Sequence, residues 1–204
     1  MNKIAMLVAG VSAMATWEGG PTYTALYEKV NNVDAYKLTV KGLKEGGFFA
    51  WSEGKPSTDS FVNTIVFTGT NDGSKQITDW YFQQGAVNFK KDTDNNGQEN
   101  LESKSATKEA DGTWTMSVYR KFDTGDTKDG SDITCGTVAT WRWHGSQDTT
   151  NIETTSLKEG NLSVQFSVAD CAMTVKDIAI LAKKGAIQNA VSAVSIAAMA
   201  YLLY

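Results

Sequence analysis

Side chains suited to acid–base or nucleophilic catalysis are scarce in this sequence. His144 is its single histidine, and histidine is the usual general base of a Ser-His-Asp site. The sequence also contains no Cys-x-x-Cys pair, no zinc-ligand spacing and no glycine-rich phosphate loop. His144 falls on the polar face of an alternating segment, so we expect it to be exposed or to lie at a strand end. These residue types favour a protein that is not an enzyme.

One segment places oxygen-bearing side chains at the spacing of a calcium loop. Asp92, Asp94 and Asn96 alternate before Gly97, as the first ligands of such a loop do. The position that requires a bidentate Glu is Ser103, and no helical pattern flanks the segment. Two interpretations stay open, a calcium site at these three side chains or a turn rich in Asp and Asn.

Cys135 and Cys171 are the only cysteines. In a secreted protein an even pair indicates a disulfide, which would stabilise the fold by about 3 to 4 kcal/mol on the loop-entropy account. Two buried thiols are the alternative. The sequence Asn161-Leu162-Ser163 is an N-glycosylation sequon, which fits the same secretory compartment.

The composition is that of one globular domain. A chain of 204 residues with 41% hydrophobic and 21% charged residues can bury a sizeable core. Its formal net charge is −4, so electrostatic binding to nucleic acid has no support.

The beginning of the chain is typical of a secretory signal. Lys3 precedes an uncharged apolar run over residues 4–15, which ends in the small-x-small pattern Ala13-Met14-Ala15. We therefore predict a cleaved signal peptide over residues 1–15.

The end of the chain is predicted to be a hydrophobic helical tail over residues 176–204. Residues 185–204 carry no charge, and a helix of this length spans about 30 Å, one bilayer core. Lys183 and Lys184 precede the apolar part and nothing basic follows it, which disfavours a simple spanning anchor. A glycosylphosphatidylinositol signal, a retained membrane helix and a helix packed on protein remain as interpretations. The first two predict an extracellular protein anchored at the cell surface.

Alternation of apolar and polar residues predicts an all-β domain over residues 16–175. About nine short strands with turn signals between them favour an antiparallel sandwich. The predicted strands are 23–30, 36–43, 48–51, 61–68, 77–89, 101–109, 113–122, 132–144 and 162–168. Gly85 is expected to bend the fifth strand, and the polar sixth strand to be a sheet edge. The seventh and eighth strands are predicted to form a hairpin across a Gly- and Asp-rich connection.

The same region resembles the DOMON family, named for the N-terminal domain of dopamine β-monooxygenase. The resemblance rests on the order of short motifs over roughly residues 22 to 170. The motifs are Gly46-Gly47-Phe48-Phe49-Ala50-Trp51, Thr58-Asp59-Ser60, Thr78-Asp79-Trp80-Tyr81, Gly112, Arg120, Thr124-Gly125-Asp126, Asp129 and Trp141-Arg142-Trp143. The resemblance implies an immunoglobulin-like β-sandwich that binds a small ligand or a haem.

Some members of that family hold a b-type haem between an axial Met and an axial His. The matching positions, residues 54–57 and 154–157, contain neither residue type here. The alternative ligands are His144 with Met116 or Met173, but alternation places Met116 and His144 on opposite faces, which argues against a shared iron for that pair. The resemblance therefore most simply implies no cofactor, with haem b as the alternative.

The other role implied by the resemblance is recognition of a sugar or another small molecule. Aromatic rings can stack on such a ligand, and polar neighbours can hydrogen-bond to it. The candidate residues are Trp51, Asp79, Trp80, Tyr81, Trp141, Arg142 and Trp143. Alternating tryptophans are also typical of a core, and that interpretation stays open for Trp141 and Trp143. The prediction is a non-enzymatic binding or interaction module; an electron-transfer haem domain and a self-assembling structural subunit are the alternatives.

Overall fold

The computed structural model describes residues 14–55, 58–82, 89–126, 133–150 and 158–181. Within these residues the chain is almost entirely β-structure, arranged as two antiparallel sheets that form a β-sandwich. The predicted all-β sandwich is thus confirmed at this level.

The first sheet contains five strands among the described residues. Their order is β1 (Met14–Ala15), β2 (Thr22–Val30), β3 (Val33–Leu43), β9 (Trp114–Lys121) and β8 (Leu101–Lys108). β8 lies at the edge of this sheet, as its polar sequence predicts.

The second sheet contains seven strands in the same part of the chain. Their order is β12 (Met173–Leu181), β11 (Lys158–Phe166), β10 (Val138–Ser146), β4 (Phe48–Lys55), β5 (Thr58–Thr68), β6 (Ile77–Phe82) and β7 (Phe89–Lys91). One helical turn, α1 (Gly73–Gln76), precedes β6, and a 3-10 turn, Asp92–Asn95, follows β7.

The core between the sheets is rich in aromatic rings. Burial alternates along β9 and β11, so that each strand turns one face inward. The ring of Trp141 lies edge-on to Trp51 with centroids 5.5 Å apart, and Trp143 stacks on Phe49 at 6.4 Å. Burial of each such ring stabilises the fold by about 1.5 to 3 kcal/mol, so this layer holds the two sheets together.

The predicted hairpin between the seventh and eighth strands is wrong. β9 pairs with β3 and β8, whereas β10 pairs with β4 and β11 in the other sheet. The apolar faces of both strands belong to the shared core, but the two strands lie in opposite sheets instead of side by side. The chain after β9 is longer than a tight hairpin turn and passes from one sheet to the other.

The predicted fifth strand is also divided in the structure. Its two ends form β6 and β7, which pair antiparallel with Phe82 opposite Phe89. Residues 83–88, including Gly85, lie outside the described residues.

The sandwich extends beyond the predicted domain limits at both ends. Met14 pairs with Tyr23 in the first sheet, although residues 1–15 were predicted to be a signal. β12 runs to Leu181, so residues 176–181 of the predicted tail belong to the second sheet. Residues 1–13 and 182–204 lie outside the described residues. None of the helices among the described residues has the length and apolar character needed to cross a membrane.

Candidate functional site

The alternation of side chains divides the predicted ligand-binding residues between the two faces of the second sheet. Trp51, Trp141 and Trp143 belong to the core and are 0%, 2% and 0% exposed. Burial therefore favours the core interpretation for these rings, since it leaves them no exposed face on which a ligand could stack. Tyr81 is in β6, opposite Asn63 of β5. The side chain of Tyr81 is outside the described part of the structure.

The outer face of the same sheet carries a row of polar side chains aligned by strand register. Arg142 lies opposite Ser52, Ser52 opposite Thr64, and Thr64 opposite Trp80. Asn161 and Lys91 extend the alignment at its two ends. We call these residues the outer row: Asn161, Arg142, Ser52, Thr64, Trp80 and Lys91. Directly opposite residues in antiparallel strands have Cβ atoms about 5 Å apart, so the row is continuous across five neighbouring strand pairs.

Hydrogen bonds connect members of the outer row. The hydroxyls of Ser52 and Thr64 are 2.9 Å apart, and Arg142 Nε donates to Asn161 Oδ1 at 3.4 Å. Ser52 and Thr64 are buried, whereas Arg142 and Asn161 are half-buried. The row thus offers guanidinium and amide groups, whereas its two hydroxyls are buried and bonded to each other, and its members form no nucleophile–base pair.

Trp80 is anchored on the same outer face by a small apolar cluster. Its half-buried ring packs against Phe48, Ala50 and Val66, and its Nε1 donates to Thr78 Oγ1 at 2.6 Å. An indole fixed in this way is a rigid surface on which a flat apolar face of a ligand can stack.

His144 also lies on this outer face, next to the outer row, and the expectation that it is exposed is wrong. It is opposite Ala50, is 6% exposed, and meets the ring of Phe48 edge-on at 6.4 Å. Burial, with the Arg142 charge as a second cause, lowers the pKa of His144 to about 4. The imidazole is therefore neutral at physiological pH.

The alternative haem ligands Met116 and His144 do not share a face. Met116 is fully buried in the core on β9 of the first sheet, while His144 is on the outer face of the second. The second sheet itself lies between the two side chains, so the structure does not bring them together for one iron.

The predicted calcium-binding residues differ in their surroundings. Asp92 is 1% exposed and its carboxylate fills the space beside Gly97, where a Cβ would lie 2.1 Å from Asp92 Oδ1. Asp94 and Asn96 are exposed. The backbone N–H of Gly97 donates to Asp92 O at 3.0 Å, closing a tight turn. The described carboxylates of this loop do not form a group of three metal-ligating residues.

Sequence reasoning missed a charged cluster buried between the sheets. We call it the inner cluster: Tyr36, Glu53, Asn63, Asp79 and Arg120. Arg120 Nε lies 3.2 Å from Glu53 Oε1, and Arg120 Nη1 lies 3.2 Å from Asp79 Oδ1. Tyr36 donates a short hydrogen bond to Glu53 Oε1, and Asn63 Nδ2 donates to Glu53 Oε2 at 3.0 Å. Burial and the neighbouring Glu53 charge raise the pKa of Tyr36 well above its ordinary value.

The inner cluster joins the two sheets. Tyr36 and Arg120 are opposite each other in the first sheet, whereas Glu53 and Asp79 belong to the second. A signal for this was present in the sequence, because Arg120 occupies a core-facing position between Val118 and Phe122 in the alternation. The cluster is closed to ligands by burial, so its chemistry is structural.

The predicted disulfide between Cys135 and Cys171 is confirmed. The two Cα atoms are 4.9 Å apart, and the bond connects the turn before β10 to the turn before β12. Asn161 of the sequon is half-buried within β11. Glycosylation of Asn161 stays a prediction, and it is an alternative to ligand binding by the same amide, since a glycan would be attached to Nδ2.

Comparisons of the chain with protein-family models, with curated protein sequences and with solved structures found no match.

Proposed function

We propose that this protein is a non-catalytic binding module, with a DOMON-like and immunoglobulin-like sandwich, that recognises a sugar or another polyhydroxylated small molecule. The observation that carries the proposal is the alignment of Trp80, Arg142 and Asn161 in one row on the outer face of the second sheet.

The chemistry of the outer row matches such a ligand. The indole of Trp80 can stack on the apolar face of one sugar ring, and Lys91 in the neighbouring strand can donate to the hydroxyls of that ring. Arg142 lies three strands from Trp80, roughly 14 Å at the usual strand spacing, so Arg142 and Asn161 would donate to a further ring of the same oligosaccharide. These four side chains are half-buried, which fixes their positions and leaves part of each in contact with solvent. A site of this kind needs only binding groups, in keeping with the scarcity of catalytic residues in the sequence.

A cell-surface location belongs to the same proposal. A disulfide is typical of secreted proteins, and the uncharged residues 185–204, which lie outside the described residues, would attach the module to a membrane.

The test is binding of the full chain to an array of glycans, followed by titration of the best ligand. We expect Trp80→Ala and Arg142→Ala each to weaken binding about tenfold or more. Tyr119→Ala is the matched control, because Tyr119 is a half-buried aromatic residue on the opposite outer face, where Lys37 lies 5.1 Å from its ring centre.

Two outcomes contradict the proposal. One is binding that Trp80→Ala and Tyr119→Ala weaken equally. The other is a folded chain that binds no glycan or polyol. If that chain also forms discrete oligomers by light scattering, the structural-subunit alternative takes its place.

A further inference from the structure

We propose that Asp34, Cys135 and Cys171 form a redox-controlled site for a thiophilic divalent cation, with zinc as the natural candidate. While the disulfide is intact its sulfurs cannot bind the cation as thiolates, and after reduction they can. This inference is independent of the proposed sugar-binding function.

The geometry of the three donors is the first argument. One carboxylate oxygen of Asp34 lies within 4.8 Å of both Sγ atoms of the disulfide, and this is the one such group of three donors among the described residues. Reduction must therefore separate the two sulfurs before they can act as ligands. Ligands bound tetrahedrally to zinc are separated by roughly 3.5 Å, given Zn–S and Zn–O bonds of about 2.3 and 2.1 Å. Two thiolates and one carboxylate with a water molecule complete four-coordinate zinc.

The three donors are held in place by contacts other than the disulfide. Cys171 N donates to Ser167 O at 3.1 Å, and Gly136 N, next to Cys135, donates to Phe166 O at 3.0 Å. Both turns therefore have a backbone hydrogen bond to the end of β11 or to the residue after it, and neither bond involves the sulfur atoms. The Asp34 carboxylate is positioned by the Tyr27 hydroxyl, which donates to Oδ1 at 2.7 Å.

The second carboxylate oxygen of Asp34, Oδ2, can bind the cation. Tyr27 and Lys29 both contact Oδ1, with the Lys29 Nζ to Oδ1 distance at 3.4 Å. Neither contact uses Oδ2, so the carboxylate can bind a cation through that oxygen and keep its existing partners.

The redox step is an ordinary thiol–disulfide exchange. A dithiol reductant attacks Cys135, which is exposed, whereas Cys171 is 4% exposed. The reductant loses two electrons and two protons and becomes a disulfide, and the two cysteines become thiols. Zinc then displaces the two thiol protons, forming two Zn–S bonds, and the Asp34 carboxylate becomes the third ligand. The cation also relieves the repulsion among three negative groups so close together.

The test uses the full chain reduced by a phosphine, freed of reductant under anaerobic conditions and titrated with Cd²⁺ or Zn²⁺. We expect the reduced protein to bind one equivalent, with the ultraviolet absorption of cadmium–thiolate bonds, and the oxidised protein to bind none. Asp34→Asn should weaken binding about tenfold or more. Asp170→Asn, which removes an exposed carboxylate beside Cys171 and outside the donor group, should leave it unchanged.

The inference is overturned if the reduced protein binds no cation, or if Asp34→Asn and Asp170→Asn bind it equally well. Near-ultraviolet circular dichroism of the reduced protein is recorded in the same experiment. A reduced chain that loses this signal and does not regain it with zinc overturns the inference as well.

Discussion

The inner cluster and the outer row contain similar side chains and differ in which face of the second sheet they occupy. Each contains an arginine next to polar partners, Arg120 beside Asp79 in one and Arg142 beside Asn161 in the other. Arg120 is 1% exposed and connects both sheets, whereas Arg142 is half-buried and bonds to Asn161 of the neighbouring strand. The same residue type thus joins the two sheets on one face, and on the other face it belongs to the binding site that we propose.

Replacing each arginine in turn gives the largest expected contrast. Arg120→Met leaves the carboxylates of Glu53 and Asp79 buried without their cation, which should lower the free energy of unfolding by about 3 to 5 kcal/mol. Arg142→Met is the matched change on the outer row and should cost less than about 1 kcal/mol. Urea denaturation of the oxidised proteins measures both. Equal losses would mean that burial does not separate the two groups.

His144, on the outer face of the second sheet, is expected to make the free energy of unfolding depend on pH. Its pKa is lowered from 6.5 to about 4 in the folded protein, so the unfolded chain binds more protons between these values. Stability should therefore fall as the pH decreases through this window, by about 1.4 kcal/mol per unit and about 3 kcal/mol in total. His144→Gln removes this dependence.

The measurement is the urea midpoint of wild type and His144→Gln at several pH values between 7 and 4. Asp177 complicates the lower end of that range, because burial raises its pKa and stability linked to it is lost as the pH rises through that raised value. Subtracting the variant curve from the wild-type curve removes this contribution. A difference that does not change with pH would show that His144 is not held neutral by burial.

The strands could be predicted because each one buries a single face, and this leaves a period of two in the sequence. Their partners could not, since alternation fixes which way a side chain points and not which strand lies beside it. β9 and β10 have the same pattern and are in different sheets. The long connection between them permits either arrangement.

The candidate site could be predicted only in the same way, because alternation fixes the face of each side chain and not its neighbours in other strands. Trp141, Arg142 and Trp143 are adjacent in sequence and looked like one binding motif, but alternation sends Arg142 to the face opposite its neighbours. The alignment of Arg142 with Trp80 arises only from the register across β4 and β5. Arg120 was missed because its partners Glu53 and Asp79 come from the other sheet, where no local pattern marks them.

Removing single hydroxyls should destabilise the protein less than removing Arg120, and it tests the contrast between the inner cluster and the outer row one hydrogen bond at a time. Tyr36→Phe removes a donor to the buried Glu53 carboxylate, which should cost about 1 to 3 kcal/mol because hydrogen bonds to charged groups are the strong ones. Thr64→Val removes a neutral hydroxyl bonded to Ser52 and should cost about 1 kcal/mol. In the double variant Ser52→Ala with Thr64→Val, no hydroxyl of that pair is left without its partner, so its loss should be smaller than the sum of the two single losses. Urea denaturation of wild type, Tyr36→Phe, Ser52→Ala, Thr64→Val and the double variant gives these differences directly. If Tyr36→Phe is as mild as Thr64→Val, the Glu53 carboxylate must be satisfied by Arg120 and Asn63 alone, and the inner cluster would need only its charge pairing to join the sheets.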